Sequence, residues 1–361
     1  MNEFDNLIQQ AMADEDAEPA VRGLVEAGPE ALRQVMEYAN EQARFHLPAL
    51  YDVIRRSTYP DALPILLANA GAAGSGVMRS VFYALARSEG VGALDFVVER
   101  LTDVSEMSST RAAAAEALHG SSSADAREAL STVLAEQRNE PDNPEWPLLL
   151  VNTVTALATM NDHSGATALY PLFDAEHDTC RALAVGAFRI VFDQHSLDHL
   201  SRALDDPSAE VRRAAVDPLF LIGSPKAAGL LLQGGEGDED HQVRYNSTIR
   251  FGDIMGLALG GPEDLPFARE KWREMGEDFA PAICYRFGEP ISLDNLVEEF
   301  IEEEDLRGSV AEELRLITGI DVPSVYLRDG VEDVQRTVLS VSFTDGRIYK
   351  WGYAQPMPHS S

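Results

Sequence analysis

The sequence predicts an all-α chain: a right-handed α-solenoid of stacked helical hairpins, closed by a small C-terminal β-hairpin. Three observations carry this. The first is a returning phrase, clearest at Val211-Arg212-Arg213-Ala214-Ala215-Val216-Asp217-Pro218-Leu219: an apolar residue, an Arg, small residues, then a large apolar residue seven positions after the Arg. It returns at Arg111…Leu118, Arg181…Phe188, Arg244…Phe251 and Arg307…Leu314, with weaker copies ending at Val53, Leu85, Leu157 and Phe287. The apolar slots recur at intervals of roughly 30–40 residues, the period of a helical solenoid. The second is composition: 45% hydrophobic with only 7% aromatic residues suits helices packed through Ala and Leu. The third is a change of period near the C-terminus, where residues 338–351 alternate as strands do.

The elements follow in order. The weak copies before residue 75 predict helices there without a sharp register. Gly71-Ala72-Ala73-Gly74-Ser75-Gly76 has no following Lys-Ser/Thr and no preceding strand, so it is a loop between helices and not a phosphate cradle. Gln137 to Pro147 holds Pro141, Pro144 and Pro147 among polar residues and predicts an extended loop. Trp146 at its end either plugs a helix junction or sits exposed as a binding anchor.

Residues 206–233 spell out one complete repeat. Asp206-Pro207-Ser208 opens a helix, with Ser208 as cap and Glu210 in the first turn. Val211, Ala214, Ala215 and Leu219 form one apolar stripe. Gly223-Ser224-Pro225 ends that helix and opens the next, which turns Ala227, Leu230 and Leu231 inward and stops at Gly234-Gly235-Glu236-Gly237. Two helices cannot bury their faces alone, so neighbouring pairs must stack.

This pattern resembles the HEAT repeat, in the short HEAT-like form first described in phycobilisome lyases. The residues that carry the resemblance are Asp206 to Ala215, Ile222-Gly223-Ser224-Pro225 and Ala227. It is strong over residues 105–255 and fair out to 320. The resemblance implies that Arg111, Arg181, Arg212, Arg244 and Arg307 lie on first helices and brace the adjacent turn. It is specific for fold and says little of function, because the superfamily mixes scaffolds, inhibitors, binding proteins and a few enzymes. HEAT-type iron hydroxylases carry repeated His-Glu pairs, and this chain has no His-Glu dipeptide.

The solenoid is expected over residues 1–321. Its last helix runs through Leu314-Arg315-Leu316-Ile317 into Gly319. Over 322–361, Val338, Leu339, Val341 and Phe343 precede Asp345-Gly346, and Ile348, Tyr349 and Trp351 follow. Asp-Gly between such runs predicts a two-residue hairpin turn. In that register Tyr349, Trp351 and Tyr353 share one strand face, which either docks on a helix or binds a ligand.

Charge bounds the partners. The net charge is −31, with Lys226, Lys271 and Lys350 the only lysines. This excludes direct phosphate-backbone contact and disfavours anionic membranes. It reflects either solubility, including adaptation to high salt, or a basic protein partner. The acidic stretches expected to meet such a partner are Glu236, Asp238, Glu239 and Asp240, then Glu298, Glu299, Glu302, Glu303 and Glu304, with Trp146 as a possible anchor. No catalytic constellation, metal site or cofactor motif emerges. His195 and His199 stand four apart without a Glu or a completing cluster, so they read as a helix start. Cys180 and Cys284, the only cysteines, are expected as free thiols in small-residue slots. Neither a long apolar run nor a signal-peptide pattern is present, so the expected address is the cytoplasm. The expected function is non-catalytic protein binding, as a scaffold, adaptor or immunity-type inhibitor. The alternative is a lyase-like accessory that holds a chromophore or a modified protein in its concave groove.

Overall fold

A computed structural model describes residues 4–13, 17–42, 47–70, 75–88, 90–137, 146–160, 162–191, 196–222, 225–255 and 259–275, and positions 297, 300, 301, 314, 349, 350, 353 and 354. The chain divides into two compact units after Met160.

The first unit holds α1 (Asp5–Ala13), α2 (Glu18–Glu26), α3 (Pro29–Glu41), α4 (Pro48–Arg56), α5 (Leu63–Asn69), α6 (Ser75–Arg87), α7 (Ala93–Thr102), α8 (Ser108–Ala117), α9 (Ala124–Gln137) and α10 (Trp146–Thr159). Alternate helices pack on one another: α2 on α4, α4 on α6, α6 on α8 and α8 on α10. A second row places α3 against α5 and α7 against α9. This packing of alternate helices is what stacked helix pairs require, since each pair buries its stripe only against its neighbours. The regular stacking reaches back through α2–α5, where the sequence phrase is faint.

The second unit holds two 3₁₀ segments (Ala166–Ala168 and Tyr170–Asp174), α11 (Asp178–Ala187), α12 (Ser196–Ala203), α13 (Ala209–Ile222), α14 (Pro225–Gly237), α15 (His241–Met255) and α16 (Leu265–Met275). Here α11, α13 and α15 form the first-helix row. The 3₁₀ segment Tyr170–Asp174 and α12 take second-helix places beside α11 and α13, and α14 packs on α13, α15 and α16. Through these helices each unit is therefore an array of stacked helix pairs.

The apolar slots are the core. Val53, Leu85, Leu118, Leu157, Phe188, Leu219, Phe251 and Leu314 are all buried. Val211 and Ala215 complete the stripe of α13 and are fully enclosed. Gly76 lets α6 approach α4, for a methyl there would lie 2.6 Å from the Tyr51 hydroxyl. Cys180 is half-buried and free.

Two features differ from expectation. First, α14 ends at Gly237, within the expected stop, but Gly234 and Gly235 of that stop lie inside the helix. The reason is packing: a methyl on Gly234 would lie 3.0 Å from Ser247 Oγ, and one on Gly235 2.7 Å from Thr248 Oγ1. The glycines serve close helix–helix approach to α15 rather than helix termination. Second, β1 (Tyr349–Lys350) pairs antiparallel with β2 (Tyr353–Ala354), Tyr349 opposite Ala354 and Lys350 opposite Tyr353. Tyr349 and Tyr353 thus lie on opposing strands, not on one. The expected turn at Asp345-Gly346, Phe287, Cys284 and Arg307 lie outside the described residues.

Candidate functional site

The recurring arginines build one edge of the second unit. Arg181 on α11 donates from Nη1 to the carbonyls of Ala175 and Glu176 at 2.8 and 3.0 Å, in the turn before its own helix. Its Nε and Nη2 grip both oxygens of Asp206, at 2.7 and 2.8 Å, in the turn before α13. Arg212 repeats the arrangement one pair later. It donates to the Asp206 and Pro207 carbonyls at 2.8 and 3.2 Å and takes both oxygens of Asp238 at 2.7 and 3.0 Å. Arg244 then holds the carbonyls of Asp238 and Glu239 at 2.7 and 3.0 Å. Each turn aspartate thus serves two arginines, one through its carboxylate and one through its carbonyl. The first unit holds a counterpart: Arg111 donates to the Leu101 carbonyl at 2.8 Å and to Glu136 at 2.9 Å. These paired guanidinium–carboxylate contacts are strong because both groups are charged and the fork geometry fits.

This ladder explains much of the acidity. The bond from Arg181 and the Ser208 amide hold Asp206 below the ordinary carboxylate range, against the opposing effect of burial. Asp238 and Arg212 each keep only 7% of their side chains exposed. Asp240 is held low first by the Val243 amide, which it accepts at the start of α15, and also by Arg213. Glu236 pairs with Arg269 at 2.6 Å. Of the four acidic residues expected at this surface, Asp238, Asp240 and Glu236 are therefore paired with arginines of the chain itself, Glu236 from an exposed position. Glu239 projects, 87% exposed, with Arg212 at 3.5 Å. Glu298, Glu299, Glu302, Glu303 and Glu304 lie outside the described residues, and Trp146 opens α10.

What faces solvent along the edge is a different set. Asp174, Glu176 and Asp178 precede or open α11, Asp205 and Glu210 flank the next turn, and Glu239 stands in the third. All are exposed carboxylates on successive turns tied together by Arg181, Arg212 and Arg244. The doublet Asp205-Asp206 divides its labour: Asp206 is bound by Arg181, and the Asp205 carboxylate meets no cation among the described residues. The sequence signal for the buried set was present, as an acid 25 or 26 positions after each Arg. It was missed because the acidic run at 236–240 reads as one patch until the partners are known.

A groove adjoins this edge. Lys226 in the first turn of α14 pairs with Asp198 in the first turn of α12 at 2.7 Å. Toward their C-terminal ends the two helices leave a cleft of about 240 Å³. Ser201, Leu204, Asp205, Leu230, Gln233 and Gly237 line it, with Gly234 and Asp238. In the first unit a cleft of about 260 Å³ lies against Arg87, His119 and Ser121 to Ser123. There Arg87 is committed to the Ala117 and His119 carbonyls, both at 2.8 Å.

Among the described residues, the His199 ring stacks on Tyr170 with centroids 3.8 Å apart, and its Nδ1 lies 2.8 Å from Arg202. No group of three or more His, Cys, Asp or Glu side chains there is placed to hold a metal ion. No helix among them is long and apolar enough to cross a membrane.

No family model matches the chain, and no curated protein does. Among solved structures, the chain is similar to an engineered protein at 17% identity and a TM-score of 0.37, over 96% of this chain and 85% of that one. It is also similar to human deoxyhypusine hydroxylase in complex with glycerol, at 16% identity and a TM-score of 0.27, over 68% of this chain and 98% of that one.

Proposed function

We propose that this protein is a non-catalytic binding scaffold, an adaptor or inhibitor, that presents the acidic turn edge of its second unit to a basic protein. The observation that carries this reading is the row of exposed carboxylates on three successive turns, Glu176 and Asp178, then Asp205 and Glu210, then Glu239. The Arg ladder grips Asp206 and Asp238 in bidentate fashion and leaves these at the solvent-exposed edge, with Glu239 at a longer 3.5 Å from Arg212. A solubility feature requires only that carboxylates be scattered. Here they repeat at the helix-pair spacing, on turns that Arg181, Arg212 and Arg244 hold rigid. Rigid, like-charged positions steer a complementary partner, raise its association rate and make that rate fall with salt.

The test is capture of a partner from native lysate at low salt, followed by association kinetics with the purified partner. The association rate should fall as NaCl rises, since attraction is screened within about 10 Å at 0.1 M. The triple change Glu176→Gln, Asp205→Asn, Glu239→Gln should slow association and leave the helical circular-dichroism signal intact. Neutralising Glu302, Glu303 and Glu304 tests the third acidic run in the same assay. Kinetics indifferent to salt and to both sets of changes would reduce the acidity to a solubility device.

A further inference from the structure

We propose that the groove between the C-terminal ends of α12 and α14 takes an arginine side chain of the basic partner. This rests on the reading of the acidic edge as a protein-binding surface, and it specifies the chemical group recognised there.

The groove lies between α12 and α14, whose first turns meet through an exposed ion pair. Lys226 and Asp198 join their first turns at 2.7 Å, while the other ends leave about 240 Å³ open. The α14 side of that opening is stripped of bulk: Gly234 and Gly237 line it, and a methyl built on Gly237 meets nothing within 4 Å. Leu204 and Leu230 supply apolar wall for an aliphatic stem. Asp205 supplies a carboxylate that no described cation engages. The basic residues of these two helices are already occupied: Arg202 faces Asp174 at 3.7 Å, and Lys226 faces Asp198. The groove is therefore electronegative, amphipathic and open.

The same turns show which cation they suit. Arg181, Arg212 and Arg244 each place a guanidinium against two turn carbonyls, and the first two also grip a carboxylate in bidentate fashion. A planar fork of donors satisfies carbonyls and a carboxylate together, which a point-like ammonium does less well. Beside the groove, Asp205 offers a carboxylate that stands outside the ladder.

The test is fluorescence anisotropy on the full chain, with a labelled peptide alternating Gly and Arg and its Lys counterpart. At about 0.15 M NaCl the Arg peptide should bind about tenfold more tightly than the Lys peptide, the worth of one charge-assisted bidentate contact. Gln233→Trp fills the groove from an exposed position without changing charge and should weaken Arg-peptide binding about tenfold, as should Asp205→Asn. Gln233→Arg, which seats a guanidinium from the chain itself, should do the same if the Trp variant folds poorly. Glu128→Gln makes a single charge neutralisation at an exposed position in the first unit, away from the groove and the acidic edge, and should leave affinity within about twofold. Equal binding of the two peptides, indifference to both Gln233 variants, or an equal loss with Glu128→Gln would overturn the groove and leave the acidic edge standing. Absence of binding by either peptide at low salt would overturn both.

Discussion

Arg212 joins two turns through one guanidinium, and removing it leaves Asp238 buried with its main counter-charge gone. Arg212→Ala should cost about 3–5 kcal/mol, the usual loss when one partner of a buried pair is deleted. Arg213 is half-exposed opposite Asp240, and Arg213→Ala should cost under about 1 kcal/mol, as exposed pairs do. Urea unfolding of the two variants separates the adjacent arginines. Leu219 is fully buried in the shared stripe, so Leu219→Ala should cost about 2–5 kcal/mol. Asp206 sets a pH dependence. Its folded pKa lies below its unfolded one, so its stabilisation is complete above the unfolded value, about 3.9, and is lost as pH falls through the lower folded value. The difference in unfolding free energy between wild type and Asp206→Asn should shrink from pH 6 toward pH 3. A constant difference would mean that the carboxylate charge is not what Arg181 holds.

Within a helix, glycine can mark an end or a contact, and α14 shows both outcomes. Gly235→Ala should lower the melting temperature, because its methyl would press 2.7 Å from Thr248 Oγ1 and push α14 off α15. Gly237→Ala meets open space and should be neutral or stabilising by about 0.5–1 kcal/mol, the helix preference for Ala. Differential scanning calorimetry distinguishes the pair. These glycines also show where sequence reading stops. Periodicity predicted most of the buried face of α13: Val211, Ala215 and Leu219, which depend only on helix geometry and their own polarity, are buried, while Ala214 is half-buried. It read Gly234 and Gly235 as part of the stop of α14, although they are explained by side chains thirteen residues further on, Ser247 and Thr248. The site divides in the same way. An acidic surface was legible from charge alone, but which acids face outward depends on arginines some 25 residues away, so Asp205 could not be told from Asp206. The groove depends on the separation of α12 and α14, which no local pattern encodes.

At the scale of the whole chain, the net charge of −31 opposes compaction, since like charges repel more once folded. Added NaCl should therefore raise the melting temperature between about 10 mM and 100 mM, as the screening length falls from about 30 to 10 Å. A melting temperature that falls over that range would mean that attractive pairs outweigh the repulsion. The ladder in the second unit has a further consequence for how such a chain can change length. Arg181 grips Asp206 as Arg212 grips Asp238, and Arg212 and Arg244 serve the carbonyls of those same two aspartates. The rungs are interchangeable. Excising residues 206–237 in frame would bring Asp238 to the place Asp206 now holds, with Arg181 on its carboxylate and Arg244 still on its carbonyl. Duplicating the same stretch would add a rung without leaving an unmatched charge at either splice. The edge is built like a chain of identical links, which a gene can shorten or extend by whole links while every clasp still closes.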